Sequence, residues 1–474
     1  MSYNDWDPED LLNFEYDRPR PKEIITPEEQ MRKDAQEAAY LKYRQEYAEK
    51  QPPQPIDEGG RTARRTAKKT KGKATATKSA AKAAAKASKL YKFSKFLSIP
   101  YVALFAAFTI AMTIMNVLPF WMMVALYIVL GLLSLIIVIQ LTKDNVKKWA
   151  KVLSTIMACI LIVFYGVGTA YALGTLSFLD TTSVKNENSV DKITKEPFNV
   201  LITGMDVWGK VGRQGRSDVN MVVTVNPNTE TILMTSIPRD YEIRLPDMDY
   251  ATDKLTHSGF YGVENTIHAV EDLLQIKTNY YVKVNFSTIV KFIDAIGGLD
   301  FYNPMEFNSA IADYHYDEGN IHVDGRGALY YARERKAFIG GDNDRVKNQQ
   351  LIFSEMLKKA TSSSTMLFSY SKILSNLNDR FEMSFSSKEL RSLVKMQFAR
   401  RIKWKMYKNT LEGGGATKPT YSTGSQAVYV TEPYQESVTN AQTLIQAVMD
   451  GKKLAKDKET DKVYVKEETQ ETAE

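Results

Sequence analysis

The 474-residue chain has one cysteine, Cys159. It therefore has no intrachain disulfide and no cysteine-based metal site. A domain facing an oxidising exterior must then hold through its hydrophobic core, which favours a large unit over a small stapled module. Histidine is scarce. His257, His268, His315 and His322 show neither HExxH nor any other metal-ligand spacing. A G-x-S-x-G elbow and a Walker A loop are both missing. Serine-hydrolase, zinc-hydrolase and P-loop chemistry thus have no support. Acid is missing from one stretch. Residues 61–95 hold thirteen Lys/Arg and no Asp/Glu, whereas residues 1–60 hold fifteen acidic side chains against eight basic ones. Such asymmetry marks a tail that meets a membrane surface or nucleic acid.

Charge is also missing from three long apolar runs, Leu97–Met115, Val117–Leu141 and Val152–Leu173. Each approaches the roughly 20 residues needed to cross a bilayer core. The basic residues before the first run and Lys143, Lys147, Lys148 and Lys151 between the second and third place those segments inside the cell. Three crossings then place the chain beyond about Asp180 outside. A polar stretch of ninety-odd residues comes first, which argues against a cleaved signal peptide.

In the inner tail, residues 26–49 read as a helix opened by Thr26, Pro27 and Glu29. The Ala/Lys/Thr stretch that follows suits anionic lipid headgroups beside the first span. Nucleic acid is the other partner for it, through phosphates, although no base-reading element accompanies it.

Past a polar linker the pattern turns to strands and helices. "FNVLITGMD" is a buried strand ending in Asp206, and "DVNMVVTVNPNTETILMTSIPRD" is a hairpin turning at Asn226-Pro227-Asn228. Hairpin geometry brings Asp218 and Arg239 to one end. A first strand running in the direction of the second hairpin strand adds Asp206, with Arg216 in the loop between. Helices follow at "GVENTIHAVEDLLQ", at "STIVKFIDAIGG" with Ser287 as N-cap, at "DGRGALYYARER" and at "DNDRVKNQQLIFSEMLKK" with Asp342 or Asn343 near the cap. Strands lie at "NYYVKVNF" and "LDFYNP". The expectation is an α/β domain with a mixed central sheet and helices on both faces. It is preceded by three transmembrane helices and a largely disordered cytoplasmic tail.

Arginine grips phosphate in bidentate fashion, and a helix N-terminus is itself an anion site. Arg216, Arg239, Arg333, Arg335 and Arg345, with Gln349 one turn after Arg345, suit a pyrophosphate. Taken singly, each arginine reads as a surface ion pair; gathered in a few loops, they read as a site. Mg²⁺ takes one or two carboxylates plus phosphate oxygens, and Asp206 and Asp218 are the candidates.

In this order, "TGMD", "GRSD", "SIPRD", "DKLTHSGFYG", "AIGGLD", "ARER" and "GDNDRVKNQQ" resemble the LytR-CpsA-Psr family of Gram-positive cell-envelope proteins. The three spans are similar to those of streptococcal capsule-associated members. The resemblance implies transfer of a glycopolymer from a polyprenyl-pyrophosphate carrier to a peptidoglycan acceptor. It implies a phosphodiester product, Mg²⁺, and an α/β sandwich with an apolar tunnel for the lipid. By motif, Asp206 and Asp218 would bind the metal. Arg216, Arg239, Arg333, Arg335 and Arg345 would hold the pyrophosphate beside Gln349, with Asp342 near the head group. Arg239, Asp218 and Arg345 are then the residues expected to be catalytic. Two positions depart from the family pattern, Gly262-Val263 for Gly-Gly and Asn348-Gln349 for Arg-Gln. An envelope-sensing regulator with a DNA-binding tail and a polyprenyl-pyrophosphate hydrolase stand as alternatives.

The expected organisation is a cytoplasmic tail over 1–95, spans over 96–175, a linker over 176–196, an extracellular catalytic domain over 197–450 and a charged disordered tail over 451–474.

Overall fold

The computed structural model describes residues 68–182, 186–205, 207–208, 215–338, 341–362, 382–457 and 459–466, without the side chains of 68–90, 178–182 and 342–343. The helix expected over 26–49 and the acidic segment lie outside the described residues.

Helix α1 (Lys68–Met115) begins within the basic stretch and runs through the first apolar segment, past Pro100. Residues 68–95 are therefore helical. Alanine and lysine are strong helix formers, so a low-complexity run of them extends a helix that the span nucleates. α2 (Phe120–Thr142) and α3 (Lys148–Thr182) follow. Tyr91–Met115, Phe120–Thr142 and Lys148–Ser177 are long and apolar enough to cross a membrane. At about 1.5 Å per residue α2 alone spans about 35 Å. Residues 116–119 form the tight turn between the first two helices. At the opposite end, Lys95 pairs with Asp144 at 2.9 Å, and the Tyr91 hydroxyl donates to the Val146 carbonyl at 3.0 Å. Between these ends the Ser134 hydroxyl meets Tyr101 at 2.9 Å and Tyr165 at 3.0 Å, tying all three helices together. α3 continues beyond residue 175, where the linker was expected to begin.

The central sheet holds β1 (Phe198–Met205), β2 (Ser217–Asn226), β3 (Thr231–Ile237), β6 (Tyr280–Asn285), β11 (Glu382–Met383) and β12 (Lys405–Thr410), in the order β11-β6-β1-β2-β3-β12. β1 is antiparallel to β2 and parallel to β6, so the sheet is mixed as expected. β2 and β3 are almost wholly buried, the mark of strands covered on both faces. Successive side chains point to opposite faces. Leu201, Val222 and Leu233 join one core with α5 (Val263–Leu274) and α10 (Gln435–Met449). Val200, Met221, Val223 and Met234 join another, against which Phe292, Phe353, Leu357, Leu390 and Leu393 pack. These last five come from α6 (Phe286–Ala295), α8 (Asp342–Ala360) and α9 (Ser387–Arg400).

Short ladders surround the sheet: β4 (Glu242–Leu245) with β5 (Ala251–Lys254), β7 (Leu299–Asn303) with β10 (Gly319–Val323), β8 (Phe307–Asn308) with β9 (His315–Tyr316), and β13 (Gly413–Pro419) with β14 (Ala427–Pro433). The short α4 (Leu255–Ser258) and α7 (Gly325–Arg333) complete the elements near the sheet.

Two expectations change. The N-cap of α6 is Asn285, not Ser287. Its side chain accepts from Thr288 N while the Thr288 hydroxyl serves the Asn285 N–H, a full capping box. Residues 451–466 are not a disordered tail either. β15 (Leu454–Lys456) pairs with β16 (Val463–Val465), and Leu454 and Val463 are buried in the first core.

Candidate functional site

The register of β1, β2 and β3 brings chemistry to one end of the sheet. Met205 pairs with Ser217, and Asn220 pairs with Ile237, so the start of β2 meets the chain leaving β3. There Arg239 Nη1 donates to Asp218 Oδ1 at 3.1 Å. The two side chains are 24% and 12% exposed, which sets them apart from a solvated surface pair. Thr256 donates its hydroxyl to the same oxygen at 3.2 Å, and its N–H to the Arg239 carbonyl at 2.8 Å. α4 therefore braces the pair from the side. Gly259, just after α4, permits this close approach: a Cβ there would lie 2.4 Å from the Gly215 carbonyl oxygen. Sequence reasoning missed Thr256, although it stands in the "DKLTHSGFYG" motif.

Segment 333–349 reaches the same end by other contacts. Met205 at the end of β1 lies beside Asn285 at the end of β6. Phe286 N donates to the Val207 carbonyl at 3.3 Å, and Trp208 meets the Phe286 ring edge-on. The Arg333 guanidinium lies over that ring, 4.2 Å from its centre. Arg335 is exposed, as is Arg216 in the loop entering β2. α8 starts after Gly341, whose φ of 53° suits glycine. Its Gln350 donates to Ser236, Asn409 and Thr410, anchoring the early turns of α8 at the C-terminal ends of β3 and β12. Arg345, on that early part of α8, is buried, and Gln349 is half-buried. The Asp342 side chain and all of Asp206 lie outside the described residues. The described contacts thus join Asp218, Arg239 and Thr256 directly. They bring Arg333 and the early part of α8 to the ends of neighbouring strands.

Glu334, between two of the arginines, is fully buried. One carboxylate oxygen accepts from the N–H groups of Arg335, Lys336 and Ala337 at 2.9, 2.9 and 3.3 Å. The other accepts from Ser309 Oγ at 2.9 Å and Ala310 N at 2.7 Å. Burial pushes this carboxyl up, but the donors outweigh it and hold the group below the usual carboxylate range. Glu334 shapes the loop that presents Arg335, a role nothing in the motif reveals.

Asp253, fully buried on β5, does similar work under α4. It binds His257 Nδ1 at 2.7 Å and accepts from Ser422 N and Oγ at 2.9 and 3.1 Å. Burial again raises its carboxyl, and the His257, Lys254 and Ser422 contacts bring it below normal. His257 also stacks on Phe260.

Among the described residues, both donors to Asp218 use Oδ1 and none uses Oδ2, which suits Oδ2 to a further ligand. Mg²⁺ commonly binds through one or two carboxylates with phosphate oxygens and waters. That donor set fits Asp218 together with an adjacent anionic substrate. Among the described residues no group of three or more His, Cys, Asp or Glu is placed to hold a metal.

The LytR_cpsA_psr family model matches residues 173–445, from within α3 to within α10. The chain belongs to the LytR-CpsA-Psr family. It is similar to the Bacillus anthracis polyisoprenyl-teichoic acid–peptidoglycan teichoic acid transferase TagU, 33% identical over 212 residues, covering 44% of this chain and 68% of that protein. The Bacillus mycoides protein of the same name is 32% identical over 258 residues, covering 52% of this chain and 83% of its own. The crystal structure of B. subtilis TagV overlays with a TM-score of 0.45 at 27% identity, over 54% of this chain and 98% of that one. The candidate site residues named above all fall inside the residues that match the LytR-CpsA-Psr model.

Proposed function

We propose that this chain is a membrane-anchored phosphotransferase that moves a glycopolymer from a polyprenyl-pyrophosphate carrier to peptidoglycan. The observation that carries this reading is the shielded Asp218–Arg239 pair at one end of the sheet, the end that Arg333 and the early part of α8 also reach. Family membership supports it, as do relatives named for teichoic acid transfer to peptidoglycan. In the reaction an acceptor hydroxyl oxygen bonds to the phosphorus adjoining the glycopolymer sugar. The phosphoanhydride P–O bond breaks, polyprenyl phosphate leaves, the proton of the acceptor hydroxyl passes to solvent, and a phosphodiester remains. Arg216, Arg239, Arg333, Arg335 and Arg345 hold the pyrophosphate, with Gln349 and Asp342 beside it. Arg239 and Arg345 neutralise the charge that builds on the departing phosphate. Asp206 and Asp218 would hold Mg²⁺, which supplies Lewis-acid stabilisation of the phosphoryl oxygens when bound.

Lys143 and Lys147 between α2 and α3, with the basic N-terminal part of α1, support a cytoplasmic N-terminus and a catalytic domain on the outer face of a Gram-positive envelope. There the substrate polymer and its acceptor meet.

Asp218→Ala and Arg239→Ala test the reading. Both variants, folded and membrane-inserted, are expected to lose polymer attachment; attachment that survives in both overturns it. Purified wild type given carrier pyrophosphate without a glycan acceptor should turn over little, whereas free turnover would establish the hydrolase alternative.

A further inference from the structure

Between α3 and β1 the chain passes by α9, and residues 186–195 with the first turns of α9 line an open cavity of about 930 Å³. Four cations line it: Lys192, Lys195, Lys388 and Arg391. Two carboxylates oppose them, Asp191 and Glu389. Glu389 is engaged elsewhere, accepting from the Tyr280 hydroxyl at 2.5 Å and from Ser386 N at 2.8 Å. Lys192, Lys195 and Lys388 are exposed and form no ion pair among the described residues. The cavity has an excess of positive charge, which suits an anion.

Its position says which anion. α9 rests on the ends of the spans. Arg391 Nη1 donates to the Ile114 carbonyl at 2.8 Å, and Lys395 Nζ to Asn116 Oδ1 at 3.0 Å. Val394 packs on a cluster of Ala111, Met115, Val117 and Ala172. Phe120 and Trp121, exposed at the start of α2, stand at this level as an aromatic belt would. Lipid headgroups occupy that level.

We propose that the cavity docks the phosphate headgroup of an anionic phospholipid from the leaflet on the catalytic side. This rests on the reading of α1–α3 as membrane spans. The other face of α9 packs Leu390 and Leu393 beneath the central sheet. A docked headgroup therefore fixes the height and tilt of the sheet above the bilayer, and with it the reach from membrane to arginines.

Near an anionic surface each lysine strengthens association about fivefold. The test is native mass spectrometry of the full chain, tail included, titrated with phosphatidylglycerol, phosphatidylcholine and inorganic phosphate. In Lys192→Gln/Lys195→Gln/Lys388→Gln, phosphatidylglycerol binding should fall at least about tenfold from wild type, with phosphatidylcholine unchanged. Lys388→Gln alone should lose about fivefold, and serves if the triple variant misfolds. Equal phosphatidylglycerol binding in variant and wild type overturns the proposal. Displacement of the lipid by millimolar inorganic phosphate also overturns it, in favour of a soluble anion site. A wild-type chain recovered outside the membrane fraction would sink the span reading itself, whereas a lost lipid preference leaves that reading standing.

Discussion

Two arginine groups, some hundred residues apart in sequence, are held in different ways. Arg239 is fixed by side chains. A carboxylate on the neighbouring strand takes its Nη1, and Thr256 braces that carboxylate from α4. The Arg333–Arg335 segment is fixed through the backbone. Glu334 collects three successive N–H groups after it and two donors from residues 309–310, so the loop has one shape. The first arrangement places charge next to charge, as the proposed chemistry requires. The second stores its order in a buried carboxylate that faces away from solvent.

If that contrast holds, Asp218→Asn strikes function and spares the fold. The amide keeps the shape but removes the charge, and polymer attachment should fall on the order of a hundredfold or more. The thermal midpoint of the purified chain should move only slightly, because the pair keeps some solvent contact. A large drop in midpoint would show instead that the pair is a structural staple.

Glu334→Gln should do the reverse. Its amide nitrogen must face N–H groups that need an acceptor, at a cost of about 2 kcal/mol. Amide exchange at residues 335–337 should then quicken about thirtyfold, while amides around Arg239 keep their protection. Attachment should fall about tenfold as Arg335 loses its presentation and one phosphate contact is misplaced. Unchanged exchange at 335–337 would end the distinction between the two halves.

These differences track what could be read from sequence. The Asp218–Arg239 meeting follows from a hairpin whose apolar strands and Asn-Pro-Asn turn are local signals. The mixed sheet follows from strands and helices with clear periods. Glu334 could not be read this way, since Ser309 and Ala310 lie 24 and more residues back and no local pattern points to them. Asn285 was hidden for another reason. It is the last residue of β6 as well as the cap of α6, so a strand pattern covered a capping signal. The closing β15–β16 ladder was obscured by charge, because among charged neighbours Leu454 and Val463 are buried in the core and Val465 packs against it.

Acid tests both halves together. Glu334 and Asp253 have folded-state values below the usual carboxylate range. Their contribution is present above the unfolded values and is lost as pH falls through the folded ones. Unfolding free energy should thus hold above about pH 5 and decline beneath it. Chemical denaturation of the purified chain at several pH values would show this. Glu334→Gln should flatten the decline. An equal slope in wild type and variant would remove Glu334 as a source.

The smallest effect concerns the link between the halves. Phe286 carries Arg333 on its ring, and its position at the head of α6 depends on the Asn285 capping box. Asn285→Ala removes an acceptor for Thr288 N and should destabilise the domain by about 1 kcal/mol. Asn285→Asp, which restores an acceptor at a site favoured by the helix dipole, should recover most of that. If the alanine variant also weakens attachment a few-fold while the aspartate variant does not, the cap transmits order from sheet to arginine. Equal attachment in both would confine its role to stability.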